Sequence, residues 1–345
     1  MIGKFAVLIV LVLAIGGCGV LKTARGGYSQ RNVEPPEGEL KGYGNHLASK
    51  FGLMSLFAET VYRRTYDFES SSRISACDDP QSEHFDFLMP WANHRGERYS
   101  WKRLYISQPT DIEPCFSGGG LYYETYVLEN SQGKPLEAVI AYRGTDGLKN
   151  DMRTNFSAAI GIEPPQYATA KKKLIPLLNY LKSISSEIKI YATGHSLGGG
   201  LAQQAGYLSN DIVEVFAFNS TPITNWSSLA LAKDGEIGIE NHYPVIYRVN
   251  HGGEALGPVR FISTNLTSAR YNRYDIDVQI TKRKLASGHG IRLIACALAN
   301  EILNFDKGKY PEHYYGREFI KKNLLRAQTG KTIICQDRTT LLTKN

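Results

Sequence analysis

The feature that most constrains this chain is a turn at residues 194–198, which reads Gly-His-Ser-Leu-Gly. An apolar stretch at 188–193 precedes it with the pattern of a β-strand, and a helix pattern follows at 197–208. A serine on a sharp strand-to-helix turn needs neighbours without bulk two residues away on each side, and glycine stands at both positions. We therefore predict that Ser196 is a nucleophile, with the amide of Leu197 facing the site of a developing oxyanion.

Strand and helix patterns alternate over much of the chain. The predicted strands lie at 99–107, 121–128, 138–142, 188–193, 213–218 and 245–249, and the predicted helices at 46–66, 167–183, 197–208 and 291–302. Alternation of this kind is typical of an α/β fold, with a largely parallel central sheet and helices on both faces.

The N-terminus predicts export and lipid anchoring. Lys4 precedes an apolar run at 5–15 that is too short to span a bilayer, and the run ends in Ile-Gly-Gly before Cys18. This pattern resembles a bacterial lipobox, in which the cysteine is acylated after removal of a signal peptide, here residues 1–17. A eukaryotic secretory signal is the alternative. Because Gly19 is not aspartate, the resemblance implies a lipid-anchored protein of the bacterial envelope, at the outer membrane.

The remainder divides into a tether and one folded body. Residues 18–40 are rich in Gly, Glu, Arg and Pro, which favours a tether. Residues 41–345 are predicted to form a single domain, with an irregular, aromatic-rich insertion at 69–114. The most local cysteine pairing joins Cys77 with Cys115 and Cys296 with Cys335, and buried free thiols are the alternative.

Charge and composition limit the classes of binding partner that we expect. The net charge is +7, but the basic residues are spread out and no nucleic-acid-binding module is recognisable. A mildly basic solvated surface explains the charge, and an anionic membrane surface is the alternative partner. We expect no nucleic-acid partner, no metal and no cofactor.

A serine hydroxyl needs a base, which the α/β-hydrolase order of nucleophile, acid and histidine places downstream. His289 lies in a Ser-Gly-His-Gly segment just before a predicted helix, where this fold places its base. His313 is the second candidate. The side chain of His195 is expected to point away from the nucleophile and to have a packing or hydrogen-bonding role.

For the triad acid and the second oxyanion donor, the sequence leaves alternatives open. Glu254 follows the strand at 245–249 and is the first candidate for orienting the base. Asp275 and Asp277 are its rivals, and a surface carboxylate is the ordinary explanation for each. Thr145 follows the strand at 138–142 and is predicted to donate to the oxyanion, with an ordinary turn as the alternative.

These segments resemble the class 3 (fungal-type) triacylglycerol lipases over residues 121–299. Tyr-Arg-Gly-Thr at 142–145 is similar to the family's oxyanion segment, and residues 193–199 to its elbow. The resemblance implies hydrolysis of lipid esters, with Ser196 as nucleophile and His289 as base. It also implies a lid. The apolar segment 156–162 is placed to form a small one, and a buried loop is the alternative. The family has aspartate where this chain has Glu254.

Three functions therefore stand open. The first is a membrane-anchored serine hydrolase that cleaves lipid esters through an acyl-enzyme, as a triacylglycerol lipase or a phospholipase. The second is a lipid acyltransferase that uses the same triad. The third is an anchored, non-catalytic protein that keeps the fold for binding.

Overall fold

A computed structural model of the protein describes residues 43–62, 65–66, 73–74, 77, 91–92, 97–106, 111–144, 165–221, 244–251, 256, 273–278, 289–291 and 293–295. The helices of this part are α1 (Tyr43–Thr60), α2 (Pro165–Ile184) and α3 (Leu197–Leu208). The strands are β1 (Thr65–Tyr66), β2 (Arg73–Ile74), β3 (Trp91–Ala92), β4 (Arg98–Arg103), β5 (Cys115–Gly118), β6 (Leu121–Asn130), β7 (Pro135–Tyr142), β8 (Lys189–His195), β9 (Ile212–Phe218), β10 (Val245–His251) and β11 (Arg273–Val278).

One large sheet organises the described residues. Its order is β11-β10-β9-β8-β7-β6-β4-β3, with β5 paired to β6. Strands β7 to β11 are parallel to one another, whereas β3 to β6 join by antiparallel pairing. Helices α2 and α3 connect successive parallel strands, as expected for a crossover connection.

Helices cover both faces of this sheet. On one face Phe57 of α1 packs against Trp101 and Tyr126, with ring centroids 4.9 Å and 4.8 Å away. On the other face Leu174 of α2 and Leu201 of α3 belong to a second buried cluster. The α/β-hydrolase fold with a central sheet and helices on both faces is therefore confirmed.

Two predicted elements differ from the structure. The helix predicted over 46–66 ends at Thr60, because Thr65–Tyr66 pairs with Arg73–Ile74 instead. Threonine and tyrosine favour extended backbone, so the periodicity alone extended the helix too far. Strand β11 was not predicted. It is an edge strand of the described sheet, where acidic residues such as Asp275 are tolerated, and its composition therefore lacks an apolar signal.

The insertion at 69–114 is more regular than predicted, since β3 and β4 lie within it and extend the central sheet. The predicted disulfide between Cys77 and Cys115 is confirmed and ties the insertion to β5. Cys296, Cys335, the predicted lid, the tether and Cys18 lie outside the described residues. Of the helices described, none combines the length and apolar character needed to cross a bilayer.

Candidate active site

Ser196 sits on the turn between β8 and α3. Its φ of 55° and ψ of −124° are unusual for a residue with a side chain, and such strain persists only where surrounding contacts hold it. The N–H of Ser196 donates to the carbonyl of Phe218 at 3.1 Å. The carbonyl of Ser196 accepts from the N–H groups of Gly199 at 3.1 Å and Thr221 at 3.0 Å. The main chain of the turn is therefore fixed from both sides, while the serine itself stays partly exposed.

Two glycines flank this turn because the backbone passes too closely for a side chain. A methyl group at Gly194 would overlap the carbonyl oxygen of Gly198. A methyl group at Gly198 would overlap the carbonyl oxygen of Tyr142 and lie 2.7 Å from the carbonyl carbon of Arg143. The second contact is between the serine turn and the end of β7, so Gly198 allows these two segments to lie close together.

His289 lies against the serine. Its Nε2 atom is 3.0 Å from the Oγ atom of Ser196, which is hydrogen-bonding distance for a nucleophile and its base. Both residues are partly exposed, so the pair faces the surface rather than the core. Leu197 begins α3, and its amide is one of the first N–H groups of a helix, which have no partner inside the helix.

The ring of His195 makes two hydrogen bonds. Its Nδ1 atom is 2.9 Å from the hydroxyl of Tyr62, and its Nε2 atom is 2.7 Å from the carbonyl oxygen of His289. The rings of His195 and His289 have centroids 4.8 Å apart. The hydrogen-bonding role expected for His195 is confirmed.

Asn219 follows β9 and joins the same network. Its Nδ2 group donates to the carbonyl of His289 at 2.8 Å, and its Oδ1 atom accepts from the N–H of His251 at 2.7 Å. With a φ of 40°, Asn219 adopts a left-handed conformation that asparagine tolerates better than most residues. An asparagine directly after an apolar strand was a usable signal that the sequence reasoning missed.

The segment before Thr145 is anchored by aromatic residues. Arg143 donates its N–H to the carbonyl of Tyr122 at 2.9 Å, and its guanidinium lies 4.2 Å from the centre of the Tyr122 ring. The N–H of Gly144 donates to the hydroxyl of Tyr62 at 2.9 Å. The sequence does not reveal this role of Tyr62, since a tyrosine near the end of an apolar helix is expected to pack in the hydrophobic core.

A buried carboxyl group supports this anchor. Glu124 is fully buried and accepts hydrogen bonds from the hydroxyl groups of Tyr122 and Tyr126. Burial raises the pKa of Glu124, although these two hydrogen bonds and the nearby Arg103 and Arg143 oppose the increase. Burial and the adjacent carboxyl group also raise the pKa of Tyr122 and Tyr126.

The other candidates for the site are only partly visible. Glu254, Thr145 and His313 lie outside the described residues. Asp275 and Asp277 lie in β11, in register with Arg248 and Asn250 of β10, and only their backbone position is described. Within the described residues, no group of His, Cys, Asp or Glu side chains is arranged to hold a metal ion.

Comparisons with known proteins connect this site to a family. Residues 107–225 match the model of a Tle-like phospholipase domain. Similar solved structures include lipase II from Rhizopus niveus, at 14% identity and a TM-score of 0.37, covering 64% of this chain and 77% of that one. A mutant of MDLA from Penicillium cyclopium is similar at 13% identity and a TM-score of 0.31, covering 72% of this chain and 83% of that one. The search of curated proteins finds no match.

The matched segment contains Ser196 together with the strand before it and the helix after it. The match therefore falls on the part of the sheet that carries the serine turn. The chain therefore has the topology of an α/β-hydrolase and contains a segment similar to a Tle-like phospholipase domain, in agreement with the resemblance to lipases that the sequence predicts.

Proposed function

We propose that this protein is a membrane-anchored phospholipase that cleaves ester bonds of envelope phospholipids through an acyl-enzyme on Ser196. The observation that carries the proposal is the 3.0 Å contact between the Oγ atom of Ser196 and the Nε2 atom of His289 on a strained strand-to-helix turn. A serine hydroxyl becomes a strong nucleophile only beside a base, and this pair supplies both groups.

In the proposed reaction, His289 takes the proton of Ser196 as the serine oxygen attacks the ester carbonyl. The amides of Leu197 and Thr145 stabilise the oxyanion of the tetrahedral intermediate. His289 then gives the proton to the leaving alcohol, and an acyl group remains on the serine. In the second half, His289 takes a proton from water as the water oxygen attacks the acyl carbonyl. The bond from the acyl carbon to the serine oxygen then breaks, His289 returns the proton to Ser196, and the fatty acid leaves.

The acid of the triad is proposed to be Glu254, with Asp275 and Asp277 as alternatives. A carboxylate at the distal nitrogen of His289 would hold the tautomer in which Nε2 accepts the serine proton. Because β10 is parallel to β9 and β8, its carboxyl end at His251 lies at the same edge of the sheet as the serine turn. This topology supports an acid from the residues just after β10.

Two observations favour a phospholipid over a soluble ester. The family model that matches residues 107–225 is that of a phospholipase-like domain. The N-terminal pattern predicts acylation of Cys18, which would keep the enzyme at a phospholipid surface of the outer membrane. A triacylglycerol lipase is the alternative on the same chemistry, because only the group attached to the ester differs.

The test is incubation of the purified protein with phosphatidylethanolamine and phosphatidylglycerol vesicles, in parallel with triacylglycerol emulsion, and mass spectrometry of the products. The proposal expects free fatty acid and lysophospholipid, and a loss of roughly a thousandfold or more in Ser196→Ala. Ser131→Ala, in the exposed turn between β6 and β7, is the matched control and should keep full activity.

The other functions have distinct readouts in the same experiment. A new acylated acceptor without free fatty acid would identify an acyltransferase. Cleavage of triacylglycerol alone would identify a lipase. Vesicle binding without any product from the unaltered protein would identify a non-catalytic binding protein and would contradict the proposal.

A further inference from the structure

We propose that Tyr62 and His195 form a hydrogen-bonded relay that positions two parts of the active site at once, the main chain at the base His289 and the main chain at Gly144. The inference deepens the proposed function and rests on it. The two residues bond to each other and to main-chain atoms of Gly144 and His289, so we assign them a positioning role rather than a catalytic one.

The order of hydrogen bonds fixes the direction of the relay. The carbonyl oxygen of His289 can only accept, so the Nε2 atom of His195 carries the hydrogen of that 2.7 Å bond. In the neutral ring, Nδ1 then accepts the hydroxyl hydrogen of Tyr62 at 2.9 Å. The same hydroxyl oxygen accepts the N–H of Gly144 at 2.9 Å. One continuous path therefore joins Gly144, Tyr62, His195 and His289.

The position of His195 explains why the relay acts on the chemistry. His195 is the last residue of β8 and directly precedes Ser196 in the chain, so its main chain moves with the nucleophile. Its side chain, only 5% exposed, reaches the carbonyl of the residue whose ring contacts the serine. A single residue thus links the main chain of the nucleophile with the main chain of the base.

The carbonyl oxygen of His289 accepts two hydrogen bonds. His195 donates to it at 2.7 Å and Asn219 at 2.8 Å, which uses both lone pairs of the oxygen. Asn219 in turn accepts from the N–H of His251, at the end of the strand that leads toward the proposed acid. Without one of the two donors, the main chain of His289 is held by a single hydrogen bond and can shift. A small shift of the base relative to the nucleophile lowers the rate of the chemical step strongly.

Tyr62 acts on the other half of the site. Its hydroxyl holds the amide of Gly144, directly before Thr145, the proposed second oxyanion donor. Because Gly144 directly precedes Thr145 in the chain, the bond from Tyr62 holds the main chain at the start of the proposed oxyanion segment. The relay therefore couples the oxyanion segment to the base, although the two lie on different strand ends.

The test uses the full-length enzyme and a double-mutant cycle in kcat and KM on a soluble acyl ester. Tyr62→Phe removes the hydroxyl alone, and His195→Leu removes both ring nitrogens. Each variant should lower kcat by about 10- to 100-fold with KM little changed, since the binding surface stays intact. If the two residues act as one relay, the double variant should lose about as much as the worse single variant.

Two further variants separate positioning from general stability. His195→Gln retains an N–H group near the place of Nε2, so it should recover a clear part of the activity that His195→Leu loses. Tyr123→Phe removes another buried tyrosine hydroxyl, which donates to the carbonyl of Glu113 at 2.7 Å, and should keep kcat unchanged. Thermal unfolding of all variants shows whether an activity change follows stability alone.

The outcomes show separately whether the relay fails or the proposed function fails. If the unaltered enzyme cleaves esters but Tyr62→Phe keeps its kcat, or if the two single losses multiply in the double variant, the relay is contradicted. Equal activities of His195→Gln and His195→Leu would also contradict it. If the unaltered enzyme cleaves no ester at all, the proposed function fails instead, independently of the relay.

Discussion

The hydroxyl of Thr193 lies 3.0 Å from the carbonyl oxygen of Met54 and 3.1 Å from that of Phe216, so it connects β8 with helix α1 and with β9. Three residues further on is Ser196. Because the hydroxyl is completely buried, this contact is one of the polar links that set α1 against the strand that carries the serine turn.

Replacement of Thr193 by valine should therefore lower the free energy of unfolding by about 1 kcal/mol, since the shape is kept and a buried hydrogen bond is lost. The matched control is Thr125→Val. The hydroxyl of Thr125 is buried and has no hydrogen-bond partner among the described residues, so its removal should be neutral or stabilising. Urea unfolding of both variants checks this, and equal effects of the two substitutions would show that the Thr193 contact contributes nothing.

Gly198 should be intolerant of alanine. The added methyl group would meet main-chain atoms of Tyr142 and Arg143, which cannot rotate away as a flexible side chain could. We expect Gly198→Ala to cost about 3 kcal/mol and to abolish ester cleavage, because the serine turn and the Arg143 segment must separate. Gly133→Asn is the control, since its φ of +72° suits asparagine and no atom lies within 4 Å. Full activity and stability in Gly198→Ala would contradict the described packing.

The serine turn was predictable because its residues are contiguous. The strand, the tight turn and the helix each have a recognisable local pattern. Glycine at positions 194 and 198 indicates that the turn has no room for a side chain there, and this requirement is also local. The contacts of Tyr62 were not predictable, since 133 positions separate it from its partner His195 and only the sheet topology brings them together. Strand β11 was missed for a different reason, because a strand at the edge of the described sheet does not demand apolar residues.

The stability of the fold should depend on the ionisation of Glu124. Burial raises the pKa of this carboxyl group above its ordinary value of 4.5, so the folded state favours the protonated form. The resulting stabilisation is fully present below that value and is lost as the pH rises through the raised pKa. Glu124→Gln does not titrate, so the unaltered protein should lose stability relative to this variant as the pH increases.

Chemical unfolding at about pH 4 and about pH 7 measures this difference, with the unaltered protein and Glu124→Gln compared at each pH. The expected sign is a fall in the unfolding free energy of the unaltered protein relative to the variant between the two conditions. A difference that stays constant, or one that grows in favour of the unaltered protein, would contradict the raised pKa.

The disulfide between Cys77 and Cys115 should stabilise the edge of the sheet. It closes a loop with a sequence separation of 38 residues, and a loop of this length corresponds to about 4 kcal/mol in the chain-entropy description. Cys77→Ser with Cys115→Ser should therefore lower the melting temperature, and a reducing agent should lower that of the unaltered protein to a similar value. A reducing agent that leaves the unaltered protein unchanged would argue against the bond.

The most direct test of the central claim is the site and rate of labelling by a fluorophosphonate, followed by peptide mass spectrometry. The proposed pairing of Ser196 with His289 predicts a single adduct on Ser196, formed about a hundredfold more slowly in His289→Ala because the base is gone. An adduct on another residue, or an unchanged rate of labelling in His289→Ala, would contradict the claim that these two side chains form the reactive pair.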